Sequence, residues 1–136
     1  CQELSDITGI PHFIQIIAEY GEAFESYIDW FCGIDDKTAF LMDSSVPAAL
    51  AHACEYVTQS GVADRAIYNS INGSISPENI EALAKSDVSA AIVLAFNPAR
   101  NTPPARACAE SAFPAAVSAW HQCRAAIGSS GMPSAP

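Results

Sequence analysis

Asp43, Asn69 and Asn97 each close an apolar run of the chain, and they stand 26 and 28 residues apart. Ser44 and Ser70 follow the first two directly, and Asn72 comes shortly after Asn69. An ionised carboxylate only accepts hydrogen bonds, whereas an amide both donates and accepts. A row of such groups converging on one place suits a planar heterocycle with mixed donors and acceptors. Each residue taken singly has an ordinary alternative role, because Asp, Ser and Asn commonly cap the next helix or make the turn. No nucleophilic constellation joins them: His12 precedes an apolar run and His52 falls inside a helical pattern, so both read as surface or packing histidines. Glu19 closes the first apolar run and could face the same mouth, but a solvated carboxylate at a helix start is its simpler role. Asp35 and Asp36 read as a solvated loop. The cysteines at 1, 32, 54, 108 and 123 are odd in number and form no C-x-x-C pair, which fits free thiols rather than a disulfide framework. His121 and Cys123 lie two apart, too few ligands for a zinc site, and no protein-bound metal is expected.

The elements that would position the row follow from periodicity. Residues up to Gly9 read as the last turns of a helix, and an opening Cys1 suggests a piece of a longer chain. Pro11 to Ala18 is a short Ile-rich run that suits a buried strand. Gly21 to Gly33 is a helix with Phe24, Tyr27, Ile28 and Phe31 at three- and four-residue spacing. Thr38 to Asp43 is the next strand. Ser45 as cap and Pro47 in the first turn then open a helix whose apolar face is Val46, Leu50, Ala53, Cys54 and Val57, stopping at Gly61. Arg65 to Ser70 is a third strand, a helix starts at Ser76-Pro77-Glu78, and Val88 to Phe96 is a fourth strand. Strands alternating with single helices must be parallel, since each helix is the crossover a parallel pair requires. The fold class is therefore α/β, either half of a (β/α)8 barrel or a slice of a doubly wound sheet. The first strand lacks a Gly-rich phosphate turn, which counts against a dinucleotide-binding sheet. In either architecture the functional residues collect at the carboxyl ends of the strands, where the polar row lies.

The chain has 136 residues, half of them apolar, which is enough for one domain with a core and too little for two. A net charge of −9 argues against nucleic acid and against a polybasic membrane anchor. Apolar runs such as Ala90 to Phe96 fall far below the roughly 18 residues of a spanning helix, and no leader pattern opens the chain, so a cytoplasmic location is expected. The composition breaks after Asn97. Residues 98–136 hold eleven Ala, six Pro and five Ser, no Leu and no Asp, and no strand can be read there, although Ala115 to Ile127 could form a weak helix. Residues 1–97 carry −11 and residues 98–136 carry +2. The chain thus divides into a partial barrel over 1–97 and an irregular tail over 98–136. The tail is either a linker or the product of a reading-frame shift in a GC-rich gene, which yields this residue mixture.

The stretches ELSDITGIPHFIQIIA, LMDSS, GVADRAIYNSIN and SDVSAAIVLAFNP, covering about residues 2 to 98, resemble the methyltransferase (MtrH) component of the tetrahydromethanopterin:coenzyme M methyltransferase complex. They also resemble its bacterial relatives that use methyltetrahydrofolate and, more distantly, the pterin-binding barrels that include dihydropteroate synthase. GVADRAIYNSIN is the most specific of the four. The resemblance implies a (β/α)8 barrel, here about its second to fifth strands, in which Asp43, Ser44, Asn69, Asn72 and Asn97 bind the pterin and Asn69 and Asn97 act in catalysis. It implies transfer of a methyl group between N5 of a reduced pterin and the cobalt of a corrinoid carried on a partner protein. That chemistry needs no activated Ser or Cys, because the cobalt is the nucleophile. Implied partners are the methylated tetrahydropterin and a corrinoid protein or other methyltransferase subunits; a homodimer and peripheral attachment to a membrane complex are compatible with it. Family members add a further acidic strand end, which the Asp-free tail does not supply, so the implied site is incomplete. A non-catalytic barrel fragment and a dihydropteroate synthase-like enzyme are the rival readings.

Overall fold

A computed structural model of the chain describes residues 1–72 and 75–94. Helix α1 (Gln2–Thr8) comes first, buries nothing, and ends at Gly9, whose φ of 70° is the left-handed turn that glycine adopts without a Cβ penalty. Three strand–helix units and a last strand follow: β1 (Ile14–Ile17), α2 (Gly21–Ile34), β2 (Phe40–Asp43), α3 (Pro47–Gln59), β3 (Ala66–Ile71), α4 (Pro77–Lys85) and β4 (Ala90–Val93). The strands form one sheet in the order β1-β2-β3-β4, and every neighbouring pair is parallel. This is the arrangement of consecutive units in a (β/α)8 barrel, and the α/β class holds.

The strands are shorter than the apolar runs that announce them. Pro11 to Phe13 lie outside β1, and β1 is not a buried strand: Ile16 is buried, while Gln15 and Ile17 are exposed. The reason is its position at the edge of the described sheet, where only one face meets helices. Along that covered face Ile16, Phe40, Met42, Ala66 and Tyr68 are buried together with Phe24, Ile28 and Phe31 of α2, Leu50, Ala53 and Val57 of α3, and Leu83 of α4. Each large side chain so withdrawn from water contributes roughly 1.5–3 kcal/mol. The half-exposed pair of His52 and Glu25 between α2 and α3, at 2.7 Å, adds only about 0–1 kcal/mol. Packing, not charge, holds the helices to the sheet.

At the amino ends of the strands Arg65 closes the base of the core. Its guanidinium donates to the carbonyls of Thr38 and Asp35 at 2.8 Å and lies 5.7 and 5.9 Å from the ring centres of Phe31 and Phe40. Asp35 is no idle loop residue. Its carboxylate accepts from the Thr38 hydroxyl and from the backbone N–H groups of Lys37 and Thr38, bonds of 2.6 to 2.8 Å that knit the turn before β2.

The caps also differ from expectation. Ser45 does not cap α3; Val46 is its N-cap and has no side-chain cap, because the residue before Pro47 is held extended. Ser44 instead accepts from the Val46 N–H at 3.0 Å. Ser76 caps α4 as its sequence suggests, accepting from the Asn79 N–H at 3.2 Å. The tail over 98–136, its helix over Ala115 to Ile127, the pair His121 and Cys123, and Asn97 lie outside the described residues.

Candidate functional site at the carboxyl ends of β2 and β3

Parallel pairing places Ile17, Asp43, Asn69 and Ile92 in one register row across the four strands. Residues in register on a parallel sheet share a face, so Asp43 and Asn69 stand side by side, flanked by two isoleucines. The ladder is irregular between Asn69 and Ile71, where β3 slips against β4. Such irregularities re-aim side chains at strand ends.

A cavity of about 200 Å³ opens where β2 and β3 meet the amino ends of α3 and α4. Asp43, Ser44, Asn69, Ser70 and Asn72 all line it, with Tyr68, Leu50 and Asn79 among the remaining walls. Four of the five expected site residues are thus brought round one space. Glu19 is not among them; it borders a separate hollow beside Tyr20, Gly21 and His52. The larger groove, about 640 Å³, runs between α3 and α4 and is edged by Glu55, Glu78 and Glu81, with Lys85 already paired to Glu81 at 2.6 Å.

The ordinary alternative, helix capping, is not what Asp43 and Asn69 do. The caps are Val46 and Ser76. The Asp43 carboxylate instead accepts from Gln15 Nε2 at 2.5 Å, across the sheet from β1, and the Asn69 side chain has no hydrogen bond among the described residues. Gln15 therefore fixes one carboxylate oxygen and leaves the other for a ligand. The sequence carried a faint signal for it, a single polar residue inside the run IQII. Asn79 carried none, since an Asn in a first helical turn ordinarily faces water. His52 is engaged with Glu25, in keeping with a packing role. Among the described residues no group of three or more His, Cys, Asp or Glu side chains could hold a metal ion, and no helix is long and apolar enough to cross a membrane.

The arrangement offers one acceptor-only carboxylate, amides that donate or accept, and apolar flanks. That donor set matches the edge of a bicyclic heterocycle. At about 200 Å³ the cavity is smaller than the roughly 300–1,000 Å³ of ordinary ligand pockets. The described residues form one wall of such a pocket.

Comparison with known proteins agrees in kind. Residues 1–116 match the family model described as tetrahydromethanopterin S-methyltransferase MtrH subunit, a match that runs past the change of composition after Asn97. The chain is 58% identical over 94 residues to the H subunit of tetrahydromethanopterin S-methyltransferase from Methanosarcina mazei, covering 69% of this chain and 30% of that protein. It is 41% identical over 97 residues to the corresponding protein of Methanothermobacter marburgensis, covering 71% and 31%. It is 46% identical over 93 residues to the H subunit of a putative mtx methyltransferase from Methanosarcina acetivorans, covering 68% and 30%. The chain spans about a third of the length of these relatives. On the strength of the match over residues 1–116, the chain belongs to the MtrH subunit family of tetrahydromethanopterin S-methyltransferases.

Proposed function

We propose that this chain supplies a pterin-binding wall of a methyltransferase that moves a methyl group between N5 of a reduced pterin and a corrinoid cobalt. The observation that carries the reading is the register row in which Asp43 and Asn69 stand side by side at the cavity, neither consumed by a helix cap. The donor set fits a pterin ring: Asp43 accepts from the ring's amine and N–H edge, while Asn69 and Asn72 supply groups that match its carbonyl and nitrogens. Ser44 adds a hydroxyl at the rim.

Methyl transfer from N5 needs a proton held at that nitrogen, because an unprotonated amine leaves poorly. An amide at the strand end orients that proton without titrating itself, which is the role proposed for Asn69 and, from outside the described residues, for Asn97. The corrinoid, bound on its partner protein, supplies the cobalt nucleophile. A cavity of about 200 Å³ is far too small for the macrocycle, so the partner meets this site from the open side of the strand ends. Those partners are the other subunits of a methyltransferase complex or a separate corrinoid protein. The fitting location is cytoplasmic, with peripheral attachment to a membrane complex, and a homodimer is compatible with it.

Calorimetric titration with methyltetrahydromethanopterin, repeated with methyltetrahydrofolate, tests the reading. Asp43→Ala removes charge-assisted bonds of about 1.5–3 kcal/mol each and should weaken pterin binding by about tenfold to a hundredfold. Asn69→Ala should cost about 1 kcal/mol, or some fivefold. Unchanged affinity in both variants, with melting points lowered instead, would assign these residues to stability and overturn the reading.

A further inference from the structure

Asn79 is the third residue of α4, one turn from its Ser76 cap. Only 6% of it is exposed, and it lines the cavity that Asp43 and Asn69 line. Its backbone N–H is used, donating to Ser76 Oγ. Its side-chain Oδ1 is buried without any hydrogen-bond partner, alone in this among the described residues. Buried polar atoms are nearly always paired, and an exception calls for a ligand, an ordered water or a functional role. A local solution is at hand: a side chain at this helical position ordinarily reaches back to the N–H of the cap residue. Asn79 does not take it. A position of this burial also accepts an apolar side chain, as Leu83 one turn on shows, so fold stability alone gives no reason for an amide here.

The position adds a second reason. The first turn of a helix presents partial positive charge, and the cavity already holds the Asp43 carboxylate at the end of β2. A neutral acceptor between these charges can take a ring N–H or exocyclic amine without the cost of burying another anion. We infer that Asn79 is a further substrate-binding residue, its amide oxygen accepting a hydrogen bond from an N–H of the heterocycle held by Asp43 and Asn69. The inference rests on the pterin reading of that cavity and adds to it a contact from a helix rather than from a strand end.

The test uses the whole chain, labelled with 15N, and a methylated tetrahydropterin as probe. The side-chain amide signals of Asn69 and Asn79 are assigned by their loss in Asn69→Ala and Asn79→Ala. Both signals should shift on titration. Asn79→Ala should weaken affinity about tenfold while leaving the melting temperature equal or higher, because it removes an orphaned polar atom. Asn79→Asp, which keeps an acceptor of the same size, should retain affinity within about threefold. A shift of the Asn69 signal with Asn79 unmoved would overturn this inference and leave the site reading standing. If neither signal moves, the pterin reading itself fails and this inference falls with it. A lowered melting temperature with unchanged affinity in Asn79→Ala would show a structural amide and overturn the inference alone.

Discussion

At the residue scale, the polar groups divide into those the fold consumes and those it leaves open. Gln15 consumes half of Asp43; Asp35 is consumed outright by its own turn. The Thr38 hydroxyl first, then the Thr38 and Lys37 N–H groups, hold the Asp35 carboxyl at about 2, against an ordinary 3.8. A folded-state value below the unfolded one means that the folded state binds the proton less readily. The stabilisation is therefore present above the unfolded pKa and is lost as pH falls through the folded one. Titration of the Asp35 carboxyl by 13C chemical shift should show a midpoint near 2, and Asp35→Asn should flatten the loss of stability between about pH 4 and pH 2. A midpoint at the ordinary value would show that the turn does not hold in solution. The sequence marked Asp35 only as loop, because its partners two and three residues on require a turn geometry that composition does not specify.

At the element scale, the approach of α2 to α3 depends on Gly21. A Cβ there would stand 2.6 Å from His52 Cδ2 and 2.7 Å from Cγ, closer than any real contact. One turn on, the Glu25 carboxylate accepts from His52 Nε2 at 2.7 Å. Gly21→Ala must therefore push the imidazole away and break that pair. Overpacking in a core costs about 1–3 kcal/mol, but this ring is half-exposed and can swing out, so a loss of about 1 kcal/mol is expected in denaturant melts. In a His52→Ala background the same change should become neutral or stabilise by about 0.4–1 kcal/mol, the usual gain when an unstrained glycine is replaced. Equal losses in both backgrounds would place the cost in the backbone instead. Gly21 is legible in the sequence as a helix start, and Ser76 as a cap, because both are local signals. The close approach is not, since it joins residues 31 positions apart.

At the scale of the whole molecule, helices cover one face of the sheet and, among the described residues, nothing covers the other. Ile17 is 62% exposed on that open face, and Trp30 and Ile34 are exposed on the outer side of α2. No strand among the described residues pairs with the outer edges of β1 and β4. Exposed parallel edges and apolar patches favour association. Light scattering should find concentration-dependent oligomers, and Ile17→Lys, which places a charge on the open face beside the β1 edge, should shift the population toward monomer. A monomer at every concentration would show that the open face is closed in solution.

Much of this architecture was legible in the sequence. The alternation of Ile-rich runs with amphipathic segments fixes βαβαβαβ, and a single helix between strands leaves only parallel pairing, so Asp43 and Asn69 had to fall at the same end of the sheet. These are consequences of local periodicity and chain direction. What only the tertiary structure decided is which groups those ends meet: Asp43 finds Gln15 28 residues earlier, Ser44 rather than Ser45 turns the chain into α3, and Asn79 is buried beside the cavity with its oxygen unpaired. Hydrogen-bond partners and burial are settled by register and helix packing, which bring together residues far apart in the chain, and no local pattern of residue types encodes them.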